Sequence, residues 1–262
     1  MKEKDNKKTL KIRLDRLLVE RGLVPSRERG HALILAGQVL VQGQKQDKAG
    51  ALVPEDAELR ILGEVLPYVG RGGLKLEGAL KEFNVSVEGK TALDVGASTG
   101  GFTDCLLQHG ATKVYAVDVG YGQLAWKLRQ DPRVITIERV NIRDIASSFI
   151  PEPIDTVVID VSFISLEKVI PSILRFLKAD SDLIALIKPQ FEVGREQVGK
   201  GGIVRNEAAR NAAVDRVTDF IRRSGFEVKG VMPSPITGQD GNVEFLIYAV
   251  RRGQVTCRHS EA

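Results

Sequence analysis

The sequence is poor in several residue types that define common classes of protein. Among its 262 residues are two cysteines, three histidines and one tryptophan, and aromatic residues make up only 5%. Two cysteines cannot build a disulfide framework, so we expect Cys105 to be a buried thiol and Cys257 a thiol in the C-terminal tail. None of the three histidines pairs with a cysteine at the spacing of zinc ligands, and no metal is expected.

Long apolar runs are also missing. No stretch of about 18 apolar residues occurs, so we expect no transmembrane helix and no membrane partner. Residues 1–8 are polar and lack the apolar centre of a secretory signal. The hydrophobic fraction of 43% and the charged fraction of 27% are ordinary for a globular protein. We therefore expect a cytoplasmic protein with one large domain or two modest ones.

Positive charge is unevenly spread along the chain. The formal net charge is +4, but residues 1–48 carry +6 and residues 49–262 carry −2. An excess of lysine and arginine at one end indicates a polyanionic partner or, equally, a solvated basic segment. Composition alone leaves both interpretations open.

The N-terminal quarter of the chain has the pattern of a small α+β module. Residues 1–10 are charged and lack apolar periodicity, which predicts a disordered basic tail. Residues 11–62 then predict two helices, the second capped at its start by Ser26. Short strands are predicted at residues 39–41 and 57–61. The module is too small to bury a large core, so the main body of the protein lies elsewhere.

Basic residues are concentrated in this module. They are Arg13, Arg16, Arg27, Arg29, Lys45 and Lys48. The runs Arg13–Gly22, Ser26–Arg29 and Ile34–Val41 resemble the RNA-binding module first recognised in small-subunit ribosomal protein S-four. The resemblance implies that Arg27 and Arg29 on the second helix contact RNA phosphates, which positions a protein on RNA without reading its sequence. All six basic residues are predicted to bind RNA. For any one arginine, a solvated helix face is the alternative.

The remainder of the chain predicts an α/β domain. Residues 63–70 are rich in glycine and proline and read as a linker, residues 71–252 as the domain, and residues 253–262 as a tail. Helices are predicted near residues 73–83, 101–109, 122–130, 165–178 and 206–224. Strands are predicted at residues 92–95, 114–119, 134–137, 156–159, 183–187, 228–232 and 243–250. This alternation indicates a mostly parallel sheet of about seven strands with helices on both faces.

A small-residue loop follows the first strand of that domain. An apolar run ends in Asp94, and the loop after it opens a predicted helix, as in nucleotide-binding sheets. The order Asp94-x-Gly96-x-Ser98-x-Gly100-Gly101 cannot be laid over the dinucleotide fingerprint G-x-G-x-x-G, which disfavours a nucleotide-dependent oxidoreductase. An acid at the strand tip suits a cationic ligand, and S-adenosylmethionine carries an ammonium and a sulfonium but no phosphate.

Further polar residues at strand ends extend this cofactor prediction. Asp118, 24 residues after Asp94, is placed to accept hydrogen bonds from ribose hydroxyls, although two helix-capping aspartates would give the same pattern. Asn141 could face the adenine edge or cap a helix. The predicted cofactor-binding residues are Asp94, Gly96, Ala97, Ser98, Thr99, Gly100, Gly101, Phe102, Asp118, Asn141 and Asp160.

Two charged residues end neighbouring strands at the same predicted sheet edge. Asp160 follows the strand at residues 156–159, and Lys188 follows the strand at residues 183–187. A lysine at the end of a buried strand is uncommon because its charge needs partners. Lys75 and Glu244, taken alone, would read as surface charges.

Five segments of the large domain carry a second resemblance: Gly70–Leu76, Leu93–Phe102, Ile159–Ser165, Leu186–Glu192 and Gly241–Phe245. They are similar to the FtsJ-type ribose methyltransferases. From about residue 13 to residue 250 the chain resembles the TlyA family, whose members are named hemolysin A or ribosomal RNA 2′-O-methyltransferase.

The resemblance implies a Rossmann-like class I S-adenosylmethionine-dependent methyltransferase fold and ribosomal RNA or ribosomal subunits as the partner, with cytidine as the target. It also implies that Lys75, Asp160, Lys188 and Glu244 surround the ribose. One departure lies in the linker, where the family often has Arg-x-Trp-Val and this chain has no arginine in Leu66–Val69.

The chemistry needs groups of this kind, because a ribose 2′-hydroxyl is a weak acid. Lys188 could take its proton, or stay charged and stabilise the developing alkoxide. Asp160 would orient Lys188, and positioning should supply much of the rate.

An RNA-binding protein without catalysis and a membrane-lytic toxin are the competing hypotheses. The glycine-rich stretch at residues 190–206 predicts an RNA-facing lid bearing Arg195, Lys200 and Arg205, or else a flexible surface loop.

Overall fold

The computed structural model describes residues 10–24, 26–62, 66–238 and 241–253. Most of the two predicted tails, including Cys257, lies outside the described residues, as do residues 63–65 of the predicted linker. The chain divides into two compact units, and the boundary between Leu66 and Pro67 falls within that predicted linker.

The N-terminal unit consists of two helices and five three-residue strands. In chain order these are β1 (Lys11–Arg13), α1 (Leu14–Glu20), α2 (Arg27–Leu35), β2 (Val39–Val41), β3 (Gln44–Gln46), β4 (Leu52–Pro54) and β5 (Leu59–Ile61). Strands β1 and β4 pair antiparallel, and β2 lies between β3 and β5 in a second antiparallel sheet. The Ser26 side chain accepts a hydrogen bond from the Arg29 amide, which confirms the predicted helix cap.

Sequence patterning was least informative for the short strands of this unit. Strands β1, β3 and β4 were not predicted, because three residues are too few to display an alternating pattern. The predicted strand at residues 57–61 begins two residues later, since the Ala57 amide donates to the carbonyl of Pro54 in a turn. The unit still has its own core, in which Leu14, Leu17 and Ile34 are buried.

The C-terminal unit is built on a seven-stranded sheet. Its elements are α3 (Gly72–Glu82), β6 (Thr91–Val95), α4 (Gly101–Gln108), β7 (Lys113–Val117), α5 (Trp126–Arg129), β8 (Val134–Ile137), β9 (Ile154–Ile159), α6 (Leu166–Ile173), β10 (Leu177–Ile187), α7 (Pro189–Glu192), α8 (Glu207–Arg223), β11 (Glu227–Pro233) and β12 (Phe245–Arg251). The strand order is β11-β12-β10-β9-β6-β7-β8. All neighbours are parallel except β12, which runs antiparallel to both β10 and β11.

Helices cover both faces of this sheet, as the alternating pattern predicted. Helices α6 and α8 pack against one face through residues such as Ile170 and Ile221. Helices α3 and α4 pack against the other through residues such as Leu76 and Leu106, and the free thiol of Cys105 is buried there.

Several expectations for this unit need correction. The helix predicted at residues 165–178 ends at Ile173, because a 3₁₀ turn and the start of β10 follow it. The helix predicted at residues 122–130 is reduced to α5, because Gly122 has a φ of 71° and its amide donates to the Glu138 side chain. Strand β10 begins six residues before residue 183, and its polar residues Lys178 to Asp182 concealed this extension from the apolar pattern. Residues 190–206 are not structureless, since they hold most of α7, a 3₁₀ turn and a bridge between Gly199 and Ile203.

The end of the predicted linker packs into the C-terminal unit. The Tyr68 ring is buried, and a Cβ added at Gly73 would lie 2.3 Å from it. The Val69 amide donates to Asp104 Oδ2 at 2.8 Å. The chain at this point is therefore fixed against α3 and α4 rather than extended as a free connection.

Candidate active site

Two lysines and two acids meet at one edge of the sheet. Asp160 and Lys188 directly follow the parallel strands β9 and β10, so both lie at their carboxyl ends. Glu244 directly precedes β12 rather than beginning it as predicted. Because β12 is antiparallel and Phe245 pairs with Ile187, the start of β12 reaches the same edge as the end of β10. Helix α3 supplies Lys75.

The four side chains form two ion pairs that line one cavity of about 520 Å³. Lys75 Nζ donates to Glu244 Oε2 at 2.5 Å, and both residues are buried. Lys188 Nζ lies 2.6 Å from Asp160 Oδ1 and donates to Ser162 Oγ at 2.9 Å. The structure thus brings together all four residues predicted to be catalytic.

Asp160 retains unused acceptor capacity. Its Oδ1 is buried and lies 2.6 Å from Lys188 Nζ, so the ammonium group neutralises that oxygen. Oδ2 forms no hydrogen bond or ion pair among the described residues and lies on the side of Gly72, which also lines the cavity. The site therefore has a free carboxylate oxygen next to an ammonium donor.

The predicted cofactor loop runs along the same cavity. Its lining includes Gly96, Ala97, Ser98, Thr99, Gly101 and Phe102. Gly96 has a φ of 87°, and a Cβ there would lie 2.4 Å from the Asp160 carbonyl oxygen. Gly100 has a φ of 96°, and a Cβ there would collide with Leu128. Only glycine allows this loop to pass so close to its neighbours.

A second cavity of about 470 Å³ adjoins the first and shares Gly96, Ser98, Asp160, Ser162 and Phe163 with it. Asp118 and Asn141 line this second cavity, as two of the predicted cofactor-binding residues. The Asp118 carboxylate accepts the Ser98 amide at 2.7 Å and the Gly120 amide at 2.6 Å. Asn141 Oδ1 accepts the Arg143 amide, an Asx turn rather than a helix cap.

Asp94 lies beneath the loop and, like Gly100, lines neither cavity. Its side chain is fully buried, and Oδ2 accepts a hydrogen bond from Thr103 Oγ1 at 2.6 Å. Burial raises the pKa of Asp94 to about 7, and the nearby charges of Asp160 and Asp118 act in the same direction. The structure therefore joins Asp94 to helix α4 through Thr103, and its cofactor contact stays a prediction.

In the N-terminal unit, two of the six predicted RNA-binding side chains are held by one buried acid. Asp15 accepts hydrogen bonds from Arg13 at 3.0 Å and from Arg27 at 2.9 Å. Arg13 above all holds the pKa of this carboxyl well below its usual range. Arg16 instead pairs with Glu20.

The side chains of the other three basic residues form no hydrogen bond or ion pair with Asp15 in the described part of the chain. Lys45 and Lys48 are exposed, and Arg29 is half-buried. The Arg29 Nε atom is buried and lacks a hydrogen-bond partner among the described residues. The structure thus brings together two of the six predicted RNA contacts.

Sequence reasoning missed two residues in the lining of the first cavity. Phe163 is 90% exposed, has a φ of 64° and packs against Phe191 in a tilted arrangement, with ring centroids 5.0 Å apart. Asn242 also lines the cavity. The position of Phe163, three residues after Asp160 at a strand end, was a signal that could have identified it.

Comparison with known proteins agrees with this geometry. Residues 12–59 match the S4 domain, and residues 68–251 match the FtsJ-like methyltransferase family. A Bacillus subtilis protein described as a candidate rRNA methyltransferase, YqxC, is 52% identical over 239 residues, which cover 91% of this chain and 85% of that protein. A Mycobacterium tuberculosis protein named 16S/23S rRNA (cytidine-2′-O)-methyltransferase TlyA is 44% identical and covers 91% and 89%.

A solved structure is also similar over nearly the whole chain. It is a Streptococcus thermophilus protein described as a candidate hemolysin, with 45% identity and a TM-score of 0.71, covering 94% of this chain and 92% of that one. No helix in the described part of this chain is long and apolar enough to cross a membrane. The family confirms the predicted methyltransferase class with its S-adenosylmethionine cofactor. This chain belongs to the TlyA family, with an S4 domain followed by an FtsJ-like methyltransferase domain.

Proposed function

We propose that this protein transfers a methyl group from S-adenosylmethionine to the 2′-hydroxyl of a cytidine in ribosomal RNA. The observation that carries the proposal is the convergence of Lys75, Asp160, Lys188 and Glu244 in one cavity beside the glycine-rich loop. The name of the M. tuberculosis relative supports the cytidine ribose as acceptor, and the S4 domain supports RNA as the partner.

The residues around the two adjoining cavities fit the cofactor. When bound, S-adenosylmethionine supplies an electrophilic methyl group on a positively charged sulfur. Each Asp118 oxygen accepts one backbone amide and keeps a lone pair for a ribose hydroxyl. Asp160 lines both cavities, and its Oδ2 forms no hydrogen bond or ion pair among the described residues. A carboxylate at that junction favours a cationic centre.

Lys188 and Asp160 act on the 2′-hydroxyl. Lys188 has the contacts of an ammonium donor, so we assign it to stabilise the negative charge that develops on the 2′-oxygen. Asp160 would accept the proton of the 2′-hydroxyl through Oδ2, the oxygen that Lys188 does not hold. Asp160 thus takes the proton, and Lys188 stabilises the charge on the 2′-oxygen.

Lys75, Glu244 and Phe163 orient the acceptor nucleotide. The buried pair of Lys75 and Glu244 fixes part of the wall of the first cavity. The exposed ring of Phe163 offers a flat surface to a nucleobase, since aromatic side chains commonly stack on unpaired bases. Orientation of this kind supplies much of the rate in an inline methyl transfer.

Lys188→Ala tests the proposal, with Lys168→Ala as the matched control. Lys168 is an exposed lysine on α6 that does not line the cavity. We expect Lys188→Ala to lower methyl transfer from labelled S-adenosylmethionine to ribosomal RNA by about 100-fold or more, because the oxyanion loses its donor. Lys168→Ala should match the wild type, and mapping of 2′-O-methylation should locate the product on a cytidine ribose.

Two results would contradict the proposal. Equal transfer by wild type and Lys188→Ala would remove Lys188 from the chemistry. RNA binding without methyl transfer by the wild-type protein would favour an RNA-binding protein without catalysis.

A further inference from the structure

The wall of the first cavity beside Glu244 is built from two segments that lie far apart in the sequence. One is the segment Gly199–Arg205, which we call the glycine loop; the other is the turn Ile236–Glu244, of which Gln239 and Asp240 lie outside the described residues. Gly202 of the glycine loop and Asn242 of the turn both line the cavity together with Lys75 and Glu244. We propose that Asn242 is a positioning residue that holds the glycine loop in place for the RNA acceptor.

Both polar atoms of the Asn242 side chain take part in joining these segments. Its Oδ1 accepts the Val204 amide at 3.1 Å, and its Nδ2 donates to the Gly202 carbonyl at 2.9 Å. The residue is only 3% exposed, and Val204 is buried as well. Two hydrogen bonds from one buried amide fix both the distance and the orientation of the loop.

The glycine loop needs such an attachment. Gly201 and Gly202 both have positive φ values, of 79° and 75°, and form a tight turn closed by the Gly199 amide on the Ile203 carbonyl. Two successive glycines give the backbone great freedom before it is ordered. The Arg210 guanidinium donates to the carbonyls of Val204 and Arg205. The C-terminal end of the loop is therefore held both by Arg210 and by Asn242.

The attachment also acts on Glu244, two residues after Asn242. The Gly238 amide donates to the Asn242 carbonyl at 2.9 Å, and a Cβ at Gly238 would lie 2.6 Å from Glu244 Oε1. The turn is therefore packed closely on the Glu244 carboxylate. Displacement of the loop would therefore shift Glu244 and, because the two residues form an ion pair, also Lys75.

Geometry indicates that the acceptor, rather than the cofactor, depends on this arrangement. Neither the glycine loop nor Asn242 lines the second cavity, where Asp118 and Asn141 lie. Lys200 and Arg205 of the loop are exposed and form no ion pair among the described residues. Free cations beside a ribose site suit the phosphates of the same RNA strand. The inference rests on the proposed function in its choice of acceptor.

The experiment compares Asn242→Ala and Asn242→Asp with Asn211→Ala, an exposed asparagine on α8. Hydrogen exchange of the peptide spanning residues 199–206 reports the attachment without any need for activity. The Kd for S-adenosylmethionine and the KM for ribosomal RNA are measured in parallel. Asn242→Asp keeps the acceptor for the Val204 amide but sets a carboxylate oxygen against the Gly202 carbonyl.

We expect Asn242→Ala to accelerate exchange at Val204 and to raise the KM for RNA about tenfold, the order expected for one or two lost hydrogen bonds. The Kd for S-adenosylmethionine should change less than about twofold, since neither Asn242 nor the glycine loop belongs to the cofactor loop or lines the second cavity. Asn242→Asp should give an intermediate KM, and Asn211→Ala should match the wild type. If Asn242→Ala fails to fold, Asn242→Asp carries the comparison.

Unchanged exchange in Asn242→Ala would overturn the inference, and so would faster exchange with an unchanged KM for RNA. An equal loss of cofactor and RNA binding would also overturn it, because that result indicates general unfolding. A wild-type protein that methylates no RNA would instead defeat the proposed function, while the exchange data would still decide whether Asn242 holds the loop.

Discussion

The two units use the same type of contact, a cation held by a carboxylate, in opposite ways. In the S4 domain, Asp15 is buried while the side chains of Arg13 and Arg27 remain 50% and 55% exposed. In the methyltransferase domain, the side chains of Lys75 and Lys188 are only 10% and 12% exposed. A buried acid that organises exposed guanidinium groups leaves their other donors free for phosphates. Buried pairs instead concentrate charge where one small group reacts.

The largest effect should come from breaking the pair of Lys75 and Glu244. Lys75→Met leaves the Glu244 carboxylate buried without an opposite charge, and Glu244→Gln does the same to the Lys75 ammonium group. In each single variant we expect the free energy of unfolding to fall by about 3–5 kcal/mol. The double variant should regain most of that stability and still lack activity. Urea unfolding measures the first effect and methyl transfer the second.

The control for that prediction is an exposed pair. The side chains of Arg222 and Asp219 are both more than half exposed, so Arg222→Ala should change the free energy of unfolding by less than about 1 kcal/mol. If the single variants of Lys75 and Glu244 are as stable as Arg222→Ala, the buried pair adds no more to the free energy of unfolding than a surface pair does.

Asp94 is a third kind of buried acid, because it forms no ion pair with a cation among the described residues. Its pKa is raised from 3.8 to about 7, so the proton is bound more tightly in the folded state. The associated stability is therefore fully present below about pH 4 and is lost as pH rises through 7. Asp94→Asn should abolish this loss, on the order of 2 kcal/mol between pH 5 and pH 8.

The measurement is the free energy of unfolding at pH 5 and at pH 8 for wild type, Asp94→Asn and the exposed Asp219→Asn. Parallel pH dependence in all three proteins would mean that Asp94 is not the group that titrates.

Asp15 should give the smallest effect and the opposite sign. Because the arginines hold its pKa below the usual 3.8, the stability it adds is present above pH 4 and is lost as pH falls below that value. Asp15→Asn should remove this acid dependence. It should also weaken RNA binding a few-fold, since Arg13 and Arg27 lose their common anchor.

RNA titration at constant salt measures the affinity, with Asp47→Asn, an exposed acid in the same unit, as the control. Tighter RNA binding by both variants to the same extent would show that only net charge changed.

Local patterns predicted the larger unit well. Its apolar strands and the helices between them are long enough to show their periodicity, and the strand at residues 134–137 has the bounds predicted for it. The acids and lysine at strand ends followed from the rule that parallel strands end at one edge. Short elements of the S4 domain, such as β3, lacked that information.

Contacts between distant residues could not be read in the same way. Lys75 and Glu244 are 169 residues apart, and only the family resemblance put them in one site. The two hydrogen bonds of Asn242 span about 40 residues and follow from no local periodicity. The burial of Asp94 depended on the helix that covers it, so its pattern alone suggested a ligand contact. The role of each predicted site residue stays a prediction for the experiments above.

The position of β12 has a consequence for biosynthesis. This strand lies between β10 and β11, and the residue just before it supplies half of the pair with Lys75 from α3. The first helix and the last strand of the methyltransferase domain must therefore both be present before the cavity is complete. A chain still emerging from the ribosome has its S4 domain long before it has Glu244, so the cavity is completed only when nearly the whole methyltransferase domain has been made.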